Sequence, residues 1–414
     1  MLKKVDLVNV YYSPSNERIP VGRLAIKDQQ VYFEYASTFL QLGLELSPFK
    51  LPLKLGVLRC ADRCFDGLFG IFNDSLPDGW GRLLLDRKLM KLGIQARELT
   101  VLDRLCYVGS RGMGALIYEP ATEDPFSIAW HDLDALADEC VQFQEDDDQF
   151  VDELLLLNGS SGGARPKILV NRAQEPMMDS SAQHNDWIIK FRAALDPKDI
   201  GSIEYGYHLM AIAAGLDVPQ AKLFASKKCS GYFGVKRFDR LGATRVHMHT
   251  VSGLLHADHR LPSLDYEMLM KATSWLTKDV RECEKQFRQT VFNILAHNRD
   301  DHAKNFSFLM DDQGTWQVSP AYDLVFSSGP AAEHSTSIMG EGRNPKLTHI
   351  MKLADVGSIK TEKALEIIEQ VRDAIARWNE FAKDANVTAQ STNKISNVLN
   401  NMADIMDPEN CTSE

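Results

Sequence analysis

The sequence predicts an α+β fold with a β-rich N-terminal part and an all-helical C-terminal part. Two stretches within residues 5–35 alternate apolar and polar residues, as half-buried strands do, whereas apolar residues recur at helical spacing from residue 263 onwards. The chain has 414 residues, of which 44% are hydrophobic and 25% charged. That composition supports a large core, and the length fits two or three domains or one large bilobed unit.

The charge balance and the cysteine pattern narrow the class of protein. The formal net charge is −11, which disfavours broad, unaided binding to nucleic acid because phosphate contacts need clustered Lys and Arg. The 7 cysteines are scattered and odd in number, which fits a reducing compartment. The sequence has neither a signal-peptide pattern nor an apolar run of about 18 residues, so we expect a cytoplasmic protein that makes no membrane contact.

The first 118 residues are predicted to form a small β unit followed by a helix. Val5–Tyr11 and Gln30–Tyr35 alternate like strands, and Gly22 and the pair Lys27-Asp28 are predicted turn positions. The glycine-rich stretch Val108–Ala115 is similar at first sight to a phosphate loop. Because a short apolar run follows it and not a long helix, we interpret it as a packing turn.

An acidic stretch separates this first part from the rest of the chain. Residues 119–150 include Glu145-Asp146-Asp147-Asp148, which predicts a linker or a solvated helix. We therefore expect an N-terminal domain at 1–118, a linker at 119–150, a β-rich lobe at 151–240 and a helical lobe at 241–414.

A second Gly/Ser-rich stretch, residues 158–167, lies between two apolar runs. Its glycines would let backbone N–H groups approach phosphate oxygens, and Lys167 adds a cation. The stretch lacks both the G-x-x-x-x-G-K-[ST] and the G-x-G-x-x-G spacing. On these residues alone, a simple hairpin turn is equally consistent.

Lys190 lies inside the apolar strand pattern Trp187–Phe191. A buried lysine needs a partner, and a kinase strand lysine finds one in nucleotide phosphates and a helix glutamate, for which Glu204 is the candidate. The alternative is an edge-strand lysine that reaches water. Further on, Tyr232–Arg240 is predicted to be a strand that ends in charged residues, at the place where kinase-like chains have their adenine-binding hinge. Helical spacing then predicts helices over 264–276, 280–297 and 361–383.

The most informative stretch is Asn298–Phe308. Asp300 and Asn305 have the D-x-x-x-x-N spacing of a kinase catalytic loop, and Asp323 follows between apolar residues. Phosphoryl transfer needs a carboxylate to accept the proton of the attacking hydroxyl, and oxygen ligands to hold Mg²⁺. Asp300 suits the first role, and Asn305 with Asp323 suits the second. The spacing alone does not exclude a solvated polar turn.

Together these stretches resemble the HipA family of toxin kinases, the kinase component of bacterial HipBA-type toxin–antitoxin pairs. The resemblance covers nearly the whole chain. Its most specific motifs are His297–Ser307, with the core D-H-A-K-N, and Ser319–Leu324. Leu76–Gly79 and Arg237–Arg240 are further family features.

The resemblance implies a bilobed, protein-kinase-like fold and an ATP- and Mg²⁺-dependent Ser/Thr protein kinase. It assigns the acid/base role to Asp300 and the Mg²⁺ ligands to Asn305 and Asp323. The residues that it assigns to the ATP site are Gly162, Gly163, Ala164, Arg165, Pro166, Lys167, Lys190, Lys236, Arg237, Phe238, His302, Ala303, Lys304, Asn305, Tyr322 and Asp323.

The resemblance also implies regulation, a substrate and partners. Family members phosphorylate a serine of their own Gly-rich loop, which silences the kinase; Ser160 aligns best in this chain, with Ser161 as the alternative. The protein substrate expected is an aminoacyl-tRNA synthetase. The partner expected is a HipB-like helix-turn-helix antitoxin, through which the chain would reach operator DNA only indirectly.

Two departures from the family pattern keep other functions open. Arg165-Pro166 stands inside the loop, where proline has no N–H to offer phosphate. Asp301 replaces the small residue more usual after the catalytic acid, although only Asp300 keeps the spacing to Asn305. The alternatives are a catalytically weak ATP-binding scaffold that represses through the antitoxin, and a small-molecule phosphotransferase such as an antibiotic kinase.

Overall fold

The computed structural model describes residues 5–15, 17–91, 99–121, 133–144, 165–171, 186–261 and 263–405. The chain divides into two compact units whose segments alternate along the sequence. Unit 1 comprises Met1–Asp196, Gly234–His256 and Leu309–Thr315, and unit 2 comprises Pro197–Phe233, Ala257–Phe308 and Trp316–Glu414. None of the helices within the described ranges combines the length and the apolar character that a transmembrane span requires. The four-part division at residues 118, 150 and 240 stays a prediction.

The described residues form both strands and helices. The strands are β1 Leu7–Tyr12, β2 Ile19–Lys27, β3 Gln30–Tyr35, β4 Val57–Arg59, β5 Leu116–Glu119, β6 Lys167–Asn171, β7 Asp186–Lys190, β8 Ala221–Phe224, β9 Tyr232–Lys236, β10 Arg240–Leu241, β11 Thr244–Arg245, β12 His247–Thr250, β13 Leu264–Asp265, β14 Ser307–Met310, β15 Trp316–Val318 and β16 Thr336–Ser337. The helices are α1 Ser37–Leu42, α2 Gly70–Asn73, α3 Gly79–Lys91, α4 Val101–Val108, α5 Leu133–Gln144, α6 Ile200–Ala213, α7 Val251–Leu255, α8 Tyr266–Thr277, α9 Val280–Leu295, α10 Leu347–Val356, α11 Thr361–Ala376, α12 Trp378–Asp384 and α13 Ala389–Ile405.

Unit 1 contains a five-stranded antiparallel sheet with the strand order β4-β3-β2-β1-β5. Alternate residues of its strands are buried, among them Val8, Val10 and Phe33, because the period of a strand is two residues. The two strands predicted from alternation are therefore confirmed. The predicted turn after Lys27 is also confirmed, since β2 and β3 are joined through Asp28 and Gln29, whose φ angles are +51° and +60°.

The turn predicted at Gly22 is wrong. Gly22 lies inside β2, next to an irregularity at which Val10 pairs with Gly22 and Tyr11 pairs with Pro20. A Cβ at Gly22 would lie 2.2 Å from the carbonyl oxygen of Glu34. The glycine is therefore needed for a close approach of two strands and not for a change of chain direction.

The strands that contain the predicted nucleotide lysines also lie in unit 1. β6, β7 and residues 234–236 of β9 run side by side, and both pairings are antiparallel. Ile168 and Ile189 are buried opposite each other on one face. Lys167 pairs with Lys190 in the same register, so both lysines lie at one position across two neighbouring strands.

The helices of unit 2 begin where the sequence supplies a capping carboxylate. Asp265 accepts a hydrogen bond from the N–H of Glu267 at the start of α8, and Asp279 accepts one from Arg281 at the start of α9. The predicted helices over 264–276 and 280–297 are confirmed as α8 and α9. The helix predicted over 361–383 is interrupted at Arg377, where α11 ends and α12 begins. This break buries Trp378, whose ring centroid lies 5.2 Å from that of Tyr207.

Tyr207 also fixes the end of α9. Its ring lies edge-on to Phe292, with centroids 6.5 Å apart, and its hydroxyl donates a hydrogen bond of 2.8 Å to the carbonyl of Ala296. Ala296 is the residue at which α9 ends and the D-x-x-x-x-N loop begins. The buried core of unit 2 thereby sets the position of that loop.

Candidate functional site

The loop that leaves α9 is folded tightly by its own polar groups. His297 has a φ of +53°, and the N–H of Asn298 donates to the carbonyl of Asn293 at 2.9 Å. Residues Ala303–Asn305 form a single 3₁₀ turn. The amide nitrogen of Asn305 donates a hydrogen bond of 2.7 Å to the backbone carbonyl of Asp300, which closes the loop on itself. Because its nitrogen is used there, the amide oxygen of Asn305 is the atom that can serve a cation.

A second segment, residues 319–327, is held against this loop at both ends. The hydroxyl of Tyr322 donates to the carbonyl of Lys304 at 2.6 Å, and the N–H of Ser327 donates to the carbonyl of His297 at 3.0 Å. The hydroxyls of Ser307 and Ser319 are hydrogen-bonded at 2.8 Å. Asp323 therefore lies on a segment that is anchored on both sides to the loop of Asp300 and Asn305.

The backbone at Asp323 adopts an uncommon conformation. Its φ is +58°, in the left-handed region that L residues avoid at a cost of about 1–2 kcal/mol. Its neighbours Ala321 and Leu324 are 6% and 8% exposed, so the apolar frame predicted around the acid is confirmed. A strained residue held between buried anchors is typical of functional sites.

The ligand chemistry of Asn305 and Asp323 fits Mg²⁺. A carboxylate and an amide oxygen are both oxygen donors, and Mg²⁺ is usually held by one or two protein carboxylates, with water and substrate phosphates completing its shell. Asp323 is half-buried and Asn305 is buried.

The two adjacent acids of the loop have opposite environments. Asp300 is exposed, whereas Asp301 is 0% exposed. The carboxylate of Asp301 accepts hydrogen bonds from Tyr266, His334 and the backbone of Ser335–Thr336. A carboxylate that is already fully hydrogen-bonded and buried has no position left for a substrate proton. Of the two acids, only Asp300 has an exposed side chain, and its acid/base role stays a prediction.

His302 contributes an unsatisfied polar atom to the same loop. Its Nδ1 is buried and has no hydrogen-bond partner among the described residues. The ring lies 5.8 Å from that of His259, at an angle of 60°. Buried polar atoms are normally paired, so an unpaired one beside Ala303–Asn305 suits a polar ligand at this position.

Unit 1 holds the predicted phosphate-binding lysines. Lys167 is 5% exposed and lies directly across the strands from Lys190, which is half-buried. Glu204, the predicted partner of Lys190, is buried in α6 of unit 2, and the pairing itself stays a prediction.

The Gly-rich loop is described only at its end. Ser160, Ser161, Gly162, Gly163 and Ala164 lie outside the described residues. The guanidinium of Arg165 forms two hydrogen bonds with Asp196, of 2.9 and 3.2 Å, and the carbonyl of Pro166 accepts the N–H of Phe191 at 2.8 Å. Arg165 and Pro166 thus anchor the base of the loop. Their contact with nucleotide stays a prediction.

The predicted hinge, Lys236–Phe238, is followed by a buried ion cluster that the sequence did not reveal. The carboxylate of Asp239 is 0% exposed and accepts hydrogen bonds from Arg237 at 2.7 and 2.9 Å, from Arg240 at 2.7 Å and from the N–H of Gly114 at 2.7 Å. The guanidinium of Arg237 is therefore bound to Asp239, and the contact of residues 236–238 with adenine stays a prediction.

The arginines of this cluster also fix the Val108–Ala115 stretch. Arg240 donates to the carbonyls of Gly112 and Gly114 at 2.9 and 3.0 Å, and Arg245 donates to the same two carbonyls at 3.3 and 3.1 Å. A stretch whose carbonyls face arginines is a packing turn, as interpreted from the sequence. The sequence signal for this ion cluster is the family motif Arg237–Arg240. It does not identify the residues that the motif binds, because Gly114 lies about 125 residues before Asp239 in the chain.

Another constellation has the hydrogen-bond order of a hydrolase triad. The hydroxyl of Ser47 lies 2.9 Å from Nε2 of His249, and Nδ1 of His249 lies 2.6 Å from Asp74. Ser47 is 1% and His249 0% exposed, so no substrate carbonyl reaches the hydroxyl. Asp74 also accepts hydrogen bonds from the N–H and the hydroxyl of Thr250. These hydrogen bonds connect distant segments of unit 1. Because Ser47 and His249 are buried, we interpret them as structural.

Comparisons with known proteins identify related families and structures. A model of the HipA N-terminal domain matches residues 15–119, and a model of the HipA-like C-terminal domain matches residues 159–378. Two curated relatives are putative kinases of Sinorhizobium fredii. Y4dM is 27% identical over 211 residues, covering 46% of this chain and 50% of its own length, and Y4mE is 26% identical over 349 residues, covering 76% and 72%. The chain thus spans only half the length of Y4dM.

A solved structure is similar over nearly the whole chain. It is the Shewanella oneidensis MR-1 toxin–antitoxin system of HipA, HipB and its operator DNA, with a TM-score of 0.67, 14% identity and coverage of 95% of both chains. At this identity the similarity concerns the fold alone. It confirms the predicted α+β, protein-kinase-like fold class. The prediction that residues 241–414 are all helical is wrong, because strands β11 to β16 lie in this range.

We predict a pH-dependent contribution of Asp239 to stability. Burial by itself raises the pKa of Asp239, but Arg237 and Arg240 outweigh it and lower the pKa to about 2 from the ordinary 3.8. As the pH falls, the Asp239 carboxylate of the unfolded chain therefore takes up its proton before that of the folded chain. The contribution of Asp239 to the free energy of unfolding is on the order of 2 kcal/mol above about pH 4 and is lost towards pH 2. Chemical unfolding of wild type and Asp239→Asn between pH 2 and 6 measures this difference.

The matched control for this comparison is Asp373→Asn, which removes an exposed carboxylate. Its stability difference from wild type should be small at every pH. A difference between wild type and Asp239→Asn that is constant from pH 6 to pH 2 would contradict the prediction.

Proposed function

Because the chain belongs to the HipA family, we propose that it is an ATP- and Mg²⁺-dependent Ser/Thr protein kinase that acts as the toxin of a toxin–antitoxin pair. The observation that supports this best is the double anchoring of the Asp323 segment to the loop of Asp300 and Asn305, through Tyr322–Lys304 and Ser327–His297. An acid/base and two oxygen ligands on one small frame are the set that phosphoryl transfer requires.

In the proposed reaction, Asp300 accepts the proton of a serine or threonine hydroxyl on the acceptor protein. The hydroxyl oxygen attacks the γ-phosphorus of ATP, and the new P–O bond forms as the bond to the β,γ-bridging oxygen breaks. ADP leaves with that electron pair. Asn305 and Asp323 would hold Mg²⁺, which, when bound, neutralises the charge that develops on the phosphates. The exposure of Asp300 leaves its carboxylate accessible to an acceptor.

The nucleotide is proposed to bind through the two strand lysines, the Gly-rich loop and the hinge. Lys167 and Lys190 supply positive charge for the phosphates, together with backbone groups of residues 162–164. Adenine hydrogen-bonds the backbone of residues 236–238, since Arg237 is held by Asp239. The family resemblance also assigns residues 302–305 and Tyr322 to nucleotide binding.

Self-phosphorylation at Ser160 is the proposed off-switch. A phosphoserine adds nearly two negative charges at neutral pH. Placed in the Gly-rich loop, that charge would repel the phosphates of ATP and compete for Lys167 and Lys190, so the modified chain would bind ATP poorly.

The proposed substrate and partner follow from the family. We propose an aminoacyl-tRNA synthetase as the acceptor protein and a HipB-like helix-turn-helix antitoxin as the neutralising partner. The similar fold of a HipA that was solved together with HipB and operator DNA supports the partner. The net charge of −11 supports DNA contact only through the antitoxin.

An ATP-binding scaffold that represses through the antitoxin is the second candidate. It is favoured by one observation: at the base of the Gly-rich loop, the guanidinium of Arg165 is bound to Asp196 and Pro166 has no N–H. Both groups are thereby removed from the possible phosphate donors. In this case the chain binds ATP but transfers no phosphate.

We predict that Asp300→Asn abolishes phosphoryl transfer. Asparagine keeps the shape of the side chain but accepts no proton, so the rate should fall by roughly 10²-fold or more. The measurement is incorporation of label from [γ-³²P]ATP with Mg²⁺ into the chain itself, followed by mapping of the labelled serine, which we expect to be Ser160.

The matched control is Asp312→Asn, which changes an exposed acid outside the loop and should label like wild type. Equal labelling of wild type and Asp300→Asn would contradict the assignment. A wild type that binds ATP and never takes label would favour the scaffold.

We predict that Lys190→Met weakens ATP binding while Lys236→Met does not. Lys190 is proposed to bind phosphate through its ammonium group, and a charge-assisted contact of this kind corresponds to about a tenfold change in affinity or more. Lys236 is proposed to act through its backbone, which the substitution leaves intact. Titration with a fluorescent ATP analogue in the presence of Mg²⁺ compares the two. Equal weakening by both substitutions would refute the distinction.

A further inference from the structure

A cavity of about 410 Å³ lies in unit 2, between helix α6 and the stretch that connects this helix to strand β8. Tyr205, His208, Leu209 and Ile212 recur at the spacing of one helix face, so α6 supplies one wall. Residues 216–221 supply the other. The apolar side chains that line the cavity are Leu209, Ile212, Leu216, Val218, Pro219 and Ala221. The cavity includes none of the residues proposed to bind ATP or Mg²⁺.

Hydrogen bonds to other parts of unit 2 fix the wall that follows α6. The guanidinium of Arg288 donates to the carbonyl of Ala214, the residue at which α6 ends, at 2.8 Å. Gly215 follows with a φ of +75°, a conformation that ends helices and favours glycine. The carbonyl of Asp217 accepts the N–H of Ala321 at 2.7 Å. The cavity is therefore preformed, as sites for small molecules usually are.

His208 is the buried polar residue of this cavity. It is 8% exposed, and it belongs to the cavity lining. Its ring centroid lies 6.2 Å from that of Tyr205, at an angle of 13° between the rings, and 6.3 Å from that of Phe233. Within the part of the chain that the structure describes, the imidazole makes these ring contacts and no hydrogen bond. Buried polar groups are normally hydrogen-bonded, so the imidazole suits a polar group of a ligand.

The imidazole of His208 is uncharged at neutral pH. Burial lowers its pKa to about 4 from the ordinary 6.5, because the charged form is poorly solvated there. A neutral imidazole has one N–H donor and one nitrogen that accepts a hydrogen bond. His208 can therefore bind an N–H or hydroxyl group of a ligand, and it supplies no positive charge that would favour an anion.

The charged group at the mouth of the cavity is an acid. Ile212, Asp217 and Gln220 are exposed, so the cavity opens to solvent beside them. Among the described residues that line the cavity, none is Lys or Arg. Electrostatic complementarity therefore favours a ligand with a positive charge near the mouth and disfavours a carboxylate or a phosphate.

We propose that this cavity binds a small aromatic amine. The apolar ring system of the ligand packs between α6 and residues 216–221, an N–H group of the ring donates to His208, and a protonated amino group faces Asp217. The volume suits such a ligand, since sites for small molecules occupy about 300–1,000 Å³. The site is independent of the proposed kinase function, because none of its residues is assigned to ATP, Mg²⁺ or phosphoryl transfer.

The test uses three indoles that share one ring system and differ in charge. Tryptamine is a cation, indole is neutral and indole-3-acetate is an anion. Isothermal titration calorimetry at pH 7 measures the dissociation constant of each from the full-length chain. We expect tryptamine to bind at one site with a dissociation constant of about 1 mM or lower, the range for a ligand of its size. Indole-3-acetate should bind roughly fivefold more weakly or worse, because its carboxylate faces Asp217.

Two substitutions examine the two polar contacts separately. His208→Phe keeps a ring beside Tyr205 and removes the hydrogen-bond acceptor, so tryptamine should bind roughly fivefold more weakly or worse. Asp217→Asn removes the charge and keeps the backbone carbonyl that accepts the N–H of Ala321. In this variant the affinities for tryptamine and indole-3-acetate should agree within about twofold.

The matched control is Asp312→Asn, which removes an exposed acid of unit 1 and should leave all three dissociation constants unchanged. Circular dichroism establishes whether each variant folds. Because Asp217 is exposed, Asp217→Asn keeps the test decisive if His208→Phe does not fold.

The proposal is overturned if tryptamine shows no saturable binding to the wild type, or if indole-3-acetate binds as tightly as tryptamine. It is also overturned if Asp217→Asn retains the full preference for tryptamine, or if a folded His208→Phe variant binds tryptamine like the wild type. None of these outcomes concerns phosphoryl transfer, which labelling from [γ-³²P]ATP tests separately.

Discussion

The hydrogen bond from the hydroxyl of Tyr322 to the carbonyl of Lys304 joins the segment of Asp323 to the loop of Asp300 and Asn305. Ser327 and Ser319 hold the same segment on either side of Asp323. With these bonds, the strained backbone at Asp323 is held between two fixed points, and its carboxylate belongs to the same frame as Asn305.

Buried charge recurs as the means by which this chain fixes its loops. Asp301 fixes the segment after the catalytic loop, and Asp239 fixes the turn at Gly112–Gly114 and the arginines that follow the predicted hinge. In each case one carboxylate accepts several hydrogen bonds, which compensates for its removal from water. Loops held in this way offer backbone groups and exposed side chains at defined positions, which the proposed nucleotide binding requires.

Much of the fold follows from patterns within single segments. The strands near the N-terminus and helices α8 and α9 were predictable because their periodicity and caps are local properties. Gly22 was misassigned, since a glycine needed for a close approach of two strands is indistinguishable by sequence from one in a turn. The end of α11 at Arg377 was missed because the break serves the burial of Trp378 against Tyr207, a contact between residues far apart in the chain.

In the candidate site, too, some features could be predicted from local sequence and others depend on residues far away in the chain. The spacing of Asp300 and Asn305 is local and could be identified, and so could the apolar frame of Asp323. The preference for Asp300 over Asp301 rested on spacing, whereas its physical basis is the complete burial of Asp301 among Tyr266, His334 and residues 335–336. Those partners lie more than thirty residues away on either side, so no local pattern could indicate them.

The claim that Asn305 and Asp323 share one divalent cation is tested most directly by diffraction. Crystals of the chain grown with Mn²⁺ and a non-hydrolysable ATP analogue, measured at the manganese edge, locate the ion by its anomalous signal. We predict a peak roughly 2.1 Å from the amide oxygen of Asn305 and from a carboxylate oxygen of Asp323, next to the nucleotide phosphates. A nucleotide bound with its manganese ion held by other side chains, away from both residues, would contradict the claim.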